Sequence, residues 1–300
     1  MSQSQAWVRP ARSPAGLARR AQLHTARLYL VTDDETPAAQ LPHLISRAVA
    51  GGVEIVQLRR KQVAAEELRA VALACLEAAH EGGALFLVDD YVDLAVAIGA
   101  DGVHLGQTDL DPGEARAQLG PERLLGLSTH SKLQVVKAGN QPVDYLSAGP
   151  VHATPTKPGR PAVGFEHVTA AAVRAAVPVV AIGGLGLGSV GTAIAAGADM
   201  AGVVRAICLA DDPARVSAEL RAEIEATAPW IRFRVNGQER KCPPGSSIRA
   251  FLELLEVALD GVVVERNGEI LRAAELAGVA LRDGDDLEVV HLVGGGTDHG

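Results

Sequence analysis

Cations, carboxylates and hydroxyls gather in four short stretches of this chain: Gln57-Leu58-Arg59-Arg60-Lys61, Asp89-Asp90, Asp109 and Thr154-Pro155-Thr156-Lys157. In an extended strand side chains alternate with period two, so residues 57, 59 and 61 present an amide, a guanidinium and an ammonium on one face. Arginine grips phosphate bidentately and lysine adds a mobile point charge. Taken alone, a charged strand end facing water explains the stretch equally well. Asp90 and Asp109 are hard oxygen ligands, and Mg2+ takes one or two carboxylates while water and substrate phosphate fill its other positions. Aspartates after strands are more often helix caps, as is expected of Asp93 and Asp111. Only the company of the cationic strand turns Asp90 and Asp109 toward metal. Residues 154–157 offer two hydroxyls, backbone amides and an ammonium in a Pro-stiffened loop, an anion cradle whose plain alternative is a simple turn. Gly183-Gly184 would let backbone amides approach a phosphate closely. The combined chemistry is magnesium-assisted handling of a diphosphate.

Such a site needs elements that bring the stretches together. Short β-branched runs at 28–32, 53–58, 84–88, 102–105, 123–127, 145–147, 177–182 and 201–204 alternate with helical periodicity at 38–50, 64–79 and 165–176, and Ser189 is placed to cap a short helix through 196. This alternation predicts a (β/α)8 TIM barrel, although a doubly wound sheet alternates in the same way. In a barrel, chemistry sits on the loops after the carboxyl ends of the strands, and the polar stretches fall there. Asp33, Gln57 to Lys61, Asp89-Asp90, His104 with Gln107 and Asp109, Ser128, Thr154 to Lys157, Gly183-Gly184 and Arg205 follow the eight runs in turn.

A hydrophobic fraction of 48% in 300 residues supports one large domain with a smaller one, and 3% aromatics requires a core of Ala, Val, Leu and Ile. Cys75, Cys208 and Cys242 show neither paired nor zinc-ligand spacing, which fits a reducing cytoplasm. A net charge of −8 without a basic stripe argues against nucleic-acid binding, and no apolar run reaches membrane-span length. Residues 1–24, with Arg9, Arg12, Arg19 and Arg20 but no apolar run, read as a disordered leader.

Residues from about 27 to 225 resemble thiamine phosphate synthase, the family that joins the pyrimidine and thiazole halves of thiamine. The matching islands are LYLVTD at 28–33, QLRRK at 57–61, VDDYVDLA at 88–95, ADGVHLGQTDL at 100–110, GLSTHS at 126–131, AGPVHATPTKPG at 148–159 and AIGGL at 181–185. The resemblance implies a domain over 25–226 in which hydroxymethylpyrimidine diphosphate loses diphosphate and the thiazole phosphate nitrogen attacks the exposed methylene. That reaction is largely dissociative and needs no nucleophile or strong base. By resemblance, Gln57, Arg59, Lys61, Ser128 and Lys157 hold the pyrimidine diphosphate, with Leu58, Arg60, Asp89 and Pro155 in the same binding stretches. Asp90 and Asp109 hold Mg2+, while Thr154, Thr156, Gly184 and the Val204-Arg205 backbone hold thiazole phosphate. Arg59, Lys61 and Lys157 are the catalytic cations. Two positions depart from the family: Asp89 replaces a common Asn and is expected to join the metal shell or be partly protonated, and Arg205 replaces a small hydroxyl residue.

After a linker at 227–230 the pattern changes. An alternating run at 231–235, the Asn236-Gly237 turn, a return at 240–242, a helix capped at Ser246-Ser247 and further strand runs at 262–265, 270–271 and 287–292 predict a ubiquitin-like β-grasp domain. VNGQ at 235–238, LRDGDDLEVV at 281–290 and the glycines 294–296 resemble the sulfur carrier protein of thiazole biosynthesis. The resemblance implies a thiocarboxylate at Gly296, formed with an adenylating enzyme and used by a thiazole synthase. Chemistry at Gly296 would then require proteolysis of the tail 297–300, because Gly296 otherwise has no free carboxylate, unless Gly300 itself serves. Two rival readings of the whole chain are a thiazole tautomerase-like barrel and a non-catalytic scaffold for sulfur transfer. Retention of QLRRK, Asp90, Asp109 and the TPTK run counts against both.

Overall fold

The computed structural model describes residues 13–61, 63, 65–154 and 161–291. Eight parallel strands, β1 (Leu28–Val31), β2 (Ile55–Leu58), β3 (Leu85–Asp89), β4 (Gly102–Leu105), β5 (Leu124–Thr129), β6 (Tyr145–Ala148), β7 (Val179–Ile182) and β8 (Met200–Val203), close into a barrel, with β8 pairing back onto β1. Closure decides between the two folds left open by the alternation. The strands are wrapped by α2 (Leu41–Ala50), α3 (Ala65–Glu81), α4 (Val92–Ile98), α5 (Pro112–Leu119), α6 (Lys132–Ala138), α7 (Gly164–Arg174), α8 (Val190–Ala195), α9 (Arg205–Cys208) and α10 (Pro213–Glu225).

The alternation of each strand sorts its side chains. Leu28, Leu30, Val56, Leu58, Phe86 and Val88 join the layer under the helices, while Tyr29, Ile55, Leu85, Leu87, Leu124, Tyr145 and Met200 fill the barrel interior. Gly126 on β5 is required by that filling: a Cβ there would lie 2.1 Å from the Tyr145 ring. The three cysteines are free and buried, which excludes a disulfide among them.

Residues 13–24 are not a disordered leader. Pro14–Thr25 forms helix α1, capped by Ser13, whose side chain accepts from the Gly16 amide. Leu23 and Ala26 plug the barrel floor, and Arg20 is buried against Asp144, its Nε 2.8 Å from the carboxylate. Arg19 and Arg20 are counterions of the floor, paired with Asp101 and Asp144, a role that composition does not disclose. Residues 1–12 lie outside the described residues.

Four acids placed one residue before an even-numbered strand show what those cations answer. Glu54 accepts from the Arg27 and Leu28 amides, Asp101 from Phe86, Asp144 from Leu125 and Asp199 from Val179. Each carboxylate satisfies a strand-start N–H that the ladder leaves open, and is balanced by cations such as Arg221, Arg19, Arg116 and Lys241.

Asp111 caps α5 as expected, accepting from Gly113 and Glu114 amides at 2.8 and 3.3 Å. Asp93 instead lies within the first turn of α4, where Tyr91 is the N-cap. Ser189 precedes α8 but turns its hydroxyl to Gly186 and does not cap the helix.

The second unit contains β9 (Ile231–Val235), β10 (Gln238–Cys242), α11 (Ile248–Leu254), β11 (Val262–Arg266), β12 (Glu269–Leu271) and β13 (Asp286–His291) in sheet order β10-β9-β13-β11-β12. It matches the β-grasp expectation, and Ser247 caps α11 through the Ala250 amide. This unit has its own core around Phe233, Phe251, Val264 and Leu287. It is also docked on the barrel. Trp230 donates to Ala195 O at 2.9 Å and packs on Ala172 and Val173, so the expected linker ends in an anchor. At the barrel floor, the buried Asp199 carboxylate pairs with both Arg232 and Lys241.

Candidate active site

Strand β2 delivers its residues as the alternation requires, and two of the expected binding residues consequently face away. Gln57 is buried in the interior at 4% exposure, and Arg59 lines the same cavity. Leu58 belongs to the layer under the helices, and Arg60 donates to Thr36 O (2.8 Å) and Asp33 O (3.3 Å). The Leu58 and Arg60 side chains therefore do not reach the cavity. Arg60 instead ties down the loop after β1, where the Asp33 side chain accepts from the Thr36 amide.

Asp89, the last residue of β3, points inward. Its Oδ1 accepts from Gln57 Nε2 at 2.6 Å, while its Oδ2 lies 2.9 Å from Lys61 Nζ and 3.8 Å from Arg59 Nε. Among the described residues, no group of three or more His, Cys, Asp or Glu is arranged to hold a metal, and Asp89 pairs with Gln57, Lys61 and Arg59. Asp89 is the counterion of the cationic strand end. Asp90 adopts the left-handed conformation (φ 63°), which Asp tolerates better than most residues, and its carboxylate turns to Lys61. Burial, and next the charge of Asp89, pushes the Asp90 carboxyl up to about 6 against the pull of Lys61, and a hydrogen bond with Asp109 acts in the same upward direction. Burial would lower Lys61, but Asp89 and Asp90 outweigh it and hold the ammonium above its ordinary value. Asp109 also accepts from the Gly106 amide at 2.6 Å.

Asp90 and Asp109 thus form a hydrogen-bonded carboxylate pair at the mouth, a donor set that suits a hard divalent cation whose remaining ligands come from water and a diphosphate. Arg59 pairs with Asp34 at 2.5 Å, and the Lys61 amide donates to the other Asp34 oxygen at 3.0 Å. Asp34 escaped the sequence reading because nothing in its local pattern shows that the β1 loop folds over β2.

Below this mouth lies an interior wall that the sequence reading found only in part. Tyr29, His104, Tyr145 and Ser147 line the cavity with Gln57 and Ser128, and the described hydrogen bonds join them in series. His104 lies within β4 and not after it. Tyr29 and Tyr145 occupy inward positions of their strands, so alternation was a signal that could have found them. Burial drives both phenols well above their ordinary pKa, keeping them protonated donors.

A recess of about 330 Å³ at the ends of β6, β7 and β8 brings together Thr154, Gly184, Val204 and Arg205. Gly184 has φ 69°, and a Cβ there would lie 2.9 Å from His152 Cβ, so bare backbone is required. Arg205 Nη1 pairs with Glu35 at 2.5 Å across the mouth. Pro155, Thr156 and Lys157, like the glycines ending at Gly296 and the tail 297–300, lie outside the described residues.

The fold and the site together define a closed (β/α)8 barrel whose carboxyl-end mouth combines a cationic strand end with paired carboxylates. Residues 28–207 match the thiamine monophosphate synthase family and residues 233–296 the ThiS family. The chain is 46% identical over 199 residues to a thiamine-phosphate synthase of Gloeobacter violaceus, covering 66% of this chain and 58% of that one. It is 44% identical over 211 residues to the Thermobifida fusca thiamine-phosphate synthase, covering 70% and 97% respectively. A thiamine phosphate pyrophosphorylase structure from Pyrococcus furiosus superposes with a TM-score of 0.62 at 30% identity, over 69% of this chain and 98% of that one. The chain belongs to the thiamine monophosphate synthase family and carries a ThiS-family domain at its carboxyl end.

Proposed function

We propose that the barrel couples hydroxymethylpyrimidine diphosphate to thiazole phosphate, releasing diphosphate and forming thiamine phosphate, and that it does so with Mg2+. The observation that carries this reading is the convergence of Arg59 and Lys61 with Asp90 and Asp109 at one rim of a cavity walled by Gln57, Ser128 and buried hydroxyls. Arg59 and Lys61 are held in place by carboxylates before substrate arrives, so their reorganisation during reaction is small. Asp90 and Asp109 would hold Mg2+, which when bound would supply charge neutralisation of the diphosphate leaving group. The inward wall orients the pyrimidine ring, and the recess beside Gly184 offers backbone groups to the thiazole phosphate.

Thiamine phosphate formation by the purified full chain, with and without Mg2+, is the test. Metal-dependent product is expected; folded protein that forms none would favour a tautomerase-like barrel or a scaffold. Because the metal competes with a proton for Asp90, apparent Mg2+ affinity is expected to fall about tenfold between pH 7 and pH 5, as pH drops through the raised value of about 6. Titration calorimetry with Mg2+ and diphosphate checks this. Lys157→Ala is expected to lower kcat about 10²-fold with a smaller change in thiazole phosphate affinity, measured by steady-state kinetics. Unchanged turnover with poorer affinity would contradict a role on the leaving group.

For the ThiS-family domain we propose a sulfur-carrier role, with Gly296 freed by removal of residues 297–300 and charged by an adenylating enzyme for a thiazole synthase. Intact-mass measurement of the chain recovered from cells tests for the shortened terminus.

A further inference from the structure

The buried wall is one continuous series of hydrogen bonds that begins at a carboxylate. Asp89 Oδ1 is 2.6 Å from Gln57 Nε2, Gln57 Oε1 is 2.7 Å from Tyr29 OH, and Tyr29 OH is 2.9 Å from Tyr145 OH. Tyr145 OH is in turn 3.0 Å from His104 Nδ1, and His104 Nε2 is 2.9 Å from Ser128 Oγ. All six residues are at most 6% exposed. Each link has two possible proton directions except the first.

Lys61 and Arg59 lie at Oδ2, so the carboxylate of Asp89 is an ion-pair acceptor there, and its Oδ1 is left to receive the Gln57 amide N–H. That orients the amide, because the flipped side chain would set its oxygen against a carboxylate oxygen. Gln57 Oε1 must then accept from Tyr29. A phenol has one proton, so Tyr29, having given its own to Gln57, must accept from Tyr145, and Tyr145 must accept from Nδ1–H of His104. In the neutral imidazole, Nε2 is then bare and accepts from the Ser128 hydroxyl.

We propose that Asp89 is a positioning residue: it sets the direction of this whole series and thereby fixes His104, which sits opposite it on the adjacent strand β4 but is reached through side chains only by way of β2, β1 and β6, four hydrogen bonds along, as the Nδ1–H tautomer. The consequence, resting on the reading that a pyrimidine ring sits against this wall, is a fixed pattern of donors and acceptors facing that ring. With an amide at position 89 the terminal group both donates and accepts. Gln57 is then free to flip, and the series runs in either direction. No substrate atom is needed for the effect, so it belongs to the free protein.

The tautomer is read directly from 15N chemical shifts and two-bond 15N–1H couplings of the histidine rings in the ligand-free full chain, with His104→Asn identifying the resonance. The wild-type chain is expected to show His104 as Nδ1–H alone. Asp89→Asn is expected to give a mixture or the Nε2–H form and a roughly three- to tenfold rise in KM for the pyrimidine diphosphate, with a smaller change in kcat. Tyr29→Phe, which cuts the series while leaving Asp89 in place, is expected to release the tautomer in the same way. An Nε2–H form or an imidazolium in the wild-type chain at pH 8 overturns the proposal, as does an unchanged Nδ1–H form in both variants. Product formation with an Asp89-independent tautomer would leave the synthase reading standing and remove this one. An Asp89-dependent tautomer in a chain that makes no product would do the reverse.

Discussion

Arg59→Met is expected to lower kcat for thiamine phosphate formation by about 10²- to 10³-fold, the loss typical when one preorganised donor to developing negative charge is removed. The geometry singles this arginine out. Its side chain lines the cavity, it is held by Asp34 at 2.5 Å, and it stands 3.8 Å from Asp89, so it is aimed before substrate binds. Methionine keeps the volume and apolar stem of the side chain and removes only the charge and the hydrogen-bond fork. Single-turnover measurements at saturating substrates separate the chemical step from binding. A rise in KM with kcat preserved would place Arg59 in ground-state recognition and leave leaving-group stabilisation to Lys61 and Lys157. Arg59→Lys, which restores charge without the bidentate fork, is expected to recover only part of the loss.

Asp199→Ala is expected to destabilise the chain by about 3–5 kcal/mol, the usual cost of removing one partner from a buried ion pair. Lys241 and Asp199 are 5% and 4% exposed, and Asp199 also neutralises Arg232 and accepts from the Val179 amide at 2.8 Å. Deleting the carboxylate strands two cations at the contact between barrel and β-grasp unit and orphans a strand-start N–H. Urea denaturation followed separately by Tyr and Trp fluorescence and by circular dichroism measures the loss, with Trp230 at the contact as a local reporter. The apolar double replacement Asp199→Leu with Lys241→Met is expected to recover part of it, since burying two charges is itself costly, while the Val179 N–H and the Asp199 side of Arg232 stay unanswered. Burial alone would raise Asp199, but Lys241 and then Arg232 outweigh it and hold its carboxyl below the ordinary range. Its contribution is therefore complete above the unfolded carboxylate value, near pH 4, and is lost as pH falls through the lowered folded one.

The sequence by itself determined a great deal, because period-two alternation is a local property. It placed Gln57, Arg59 and Lys61 on one face, marked eight strand runs, set the Asp111 and Ser247 caps and divided the chain at the change of pattern near 227. The same rule, applied strictly, excludes Leu58 and Arg60 from the cavity and admits Tyr29 and Tyr145. What local pattern does not encode is which distant residue answers a charge. Only closure of the barrel sets Tyr29 against Tyr145 and Asp34 against Arg59, turns the arginines of α1 into counterions for the floor, and pairs Asp199 with Lys241 of the second unit. A buried carboxylate must be matched by whichever cation or donor the fold brings within about 3 Å. That is why Asp89, read along the chain as a metal neighbour, became the anchor of a hydrogen-bonded wall once three dimensions set Gln57 beside it.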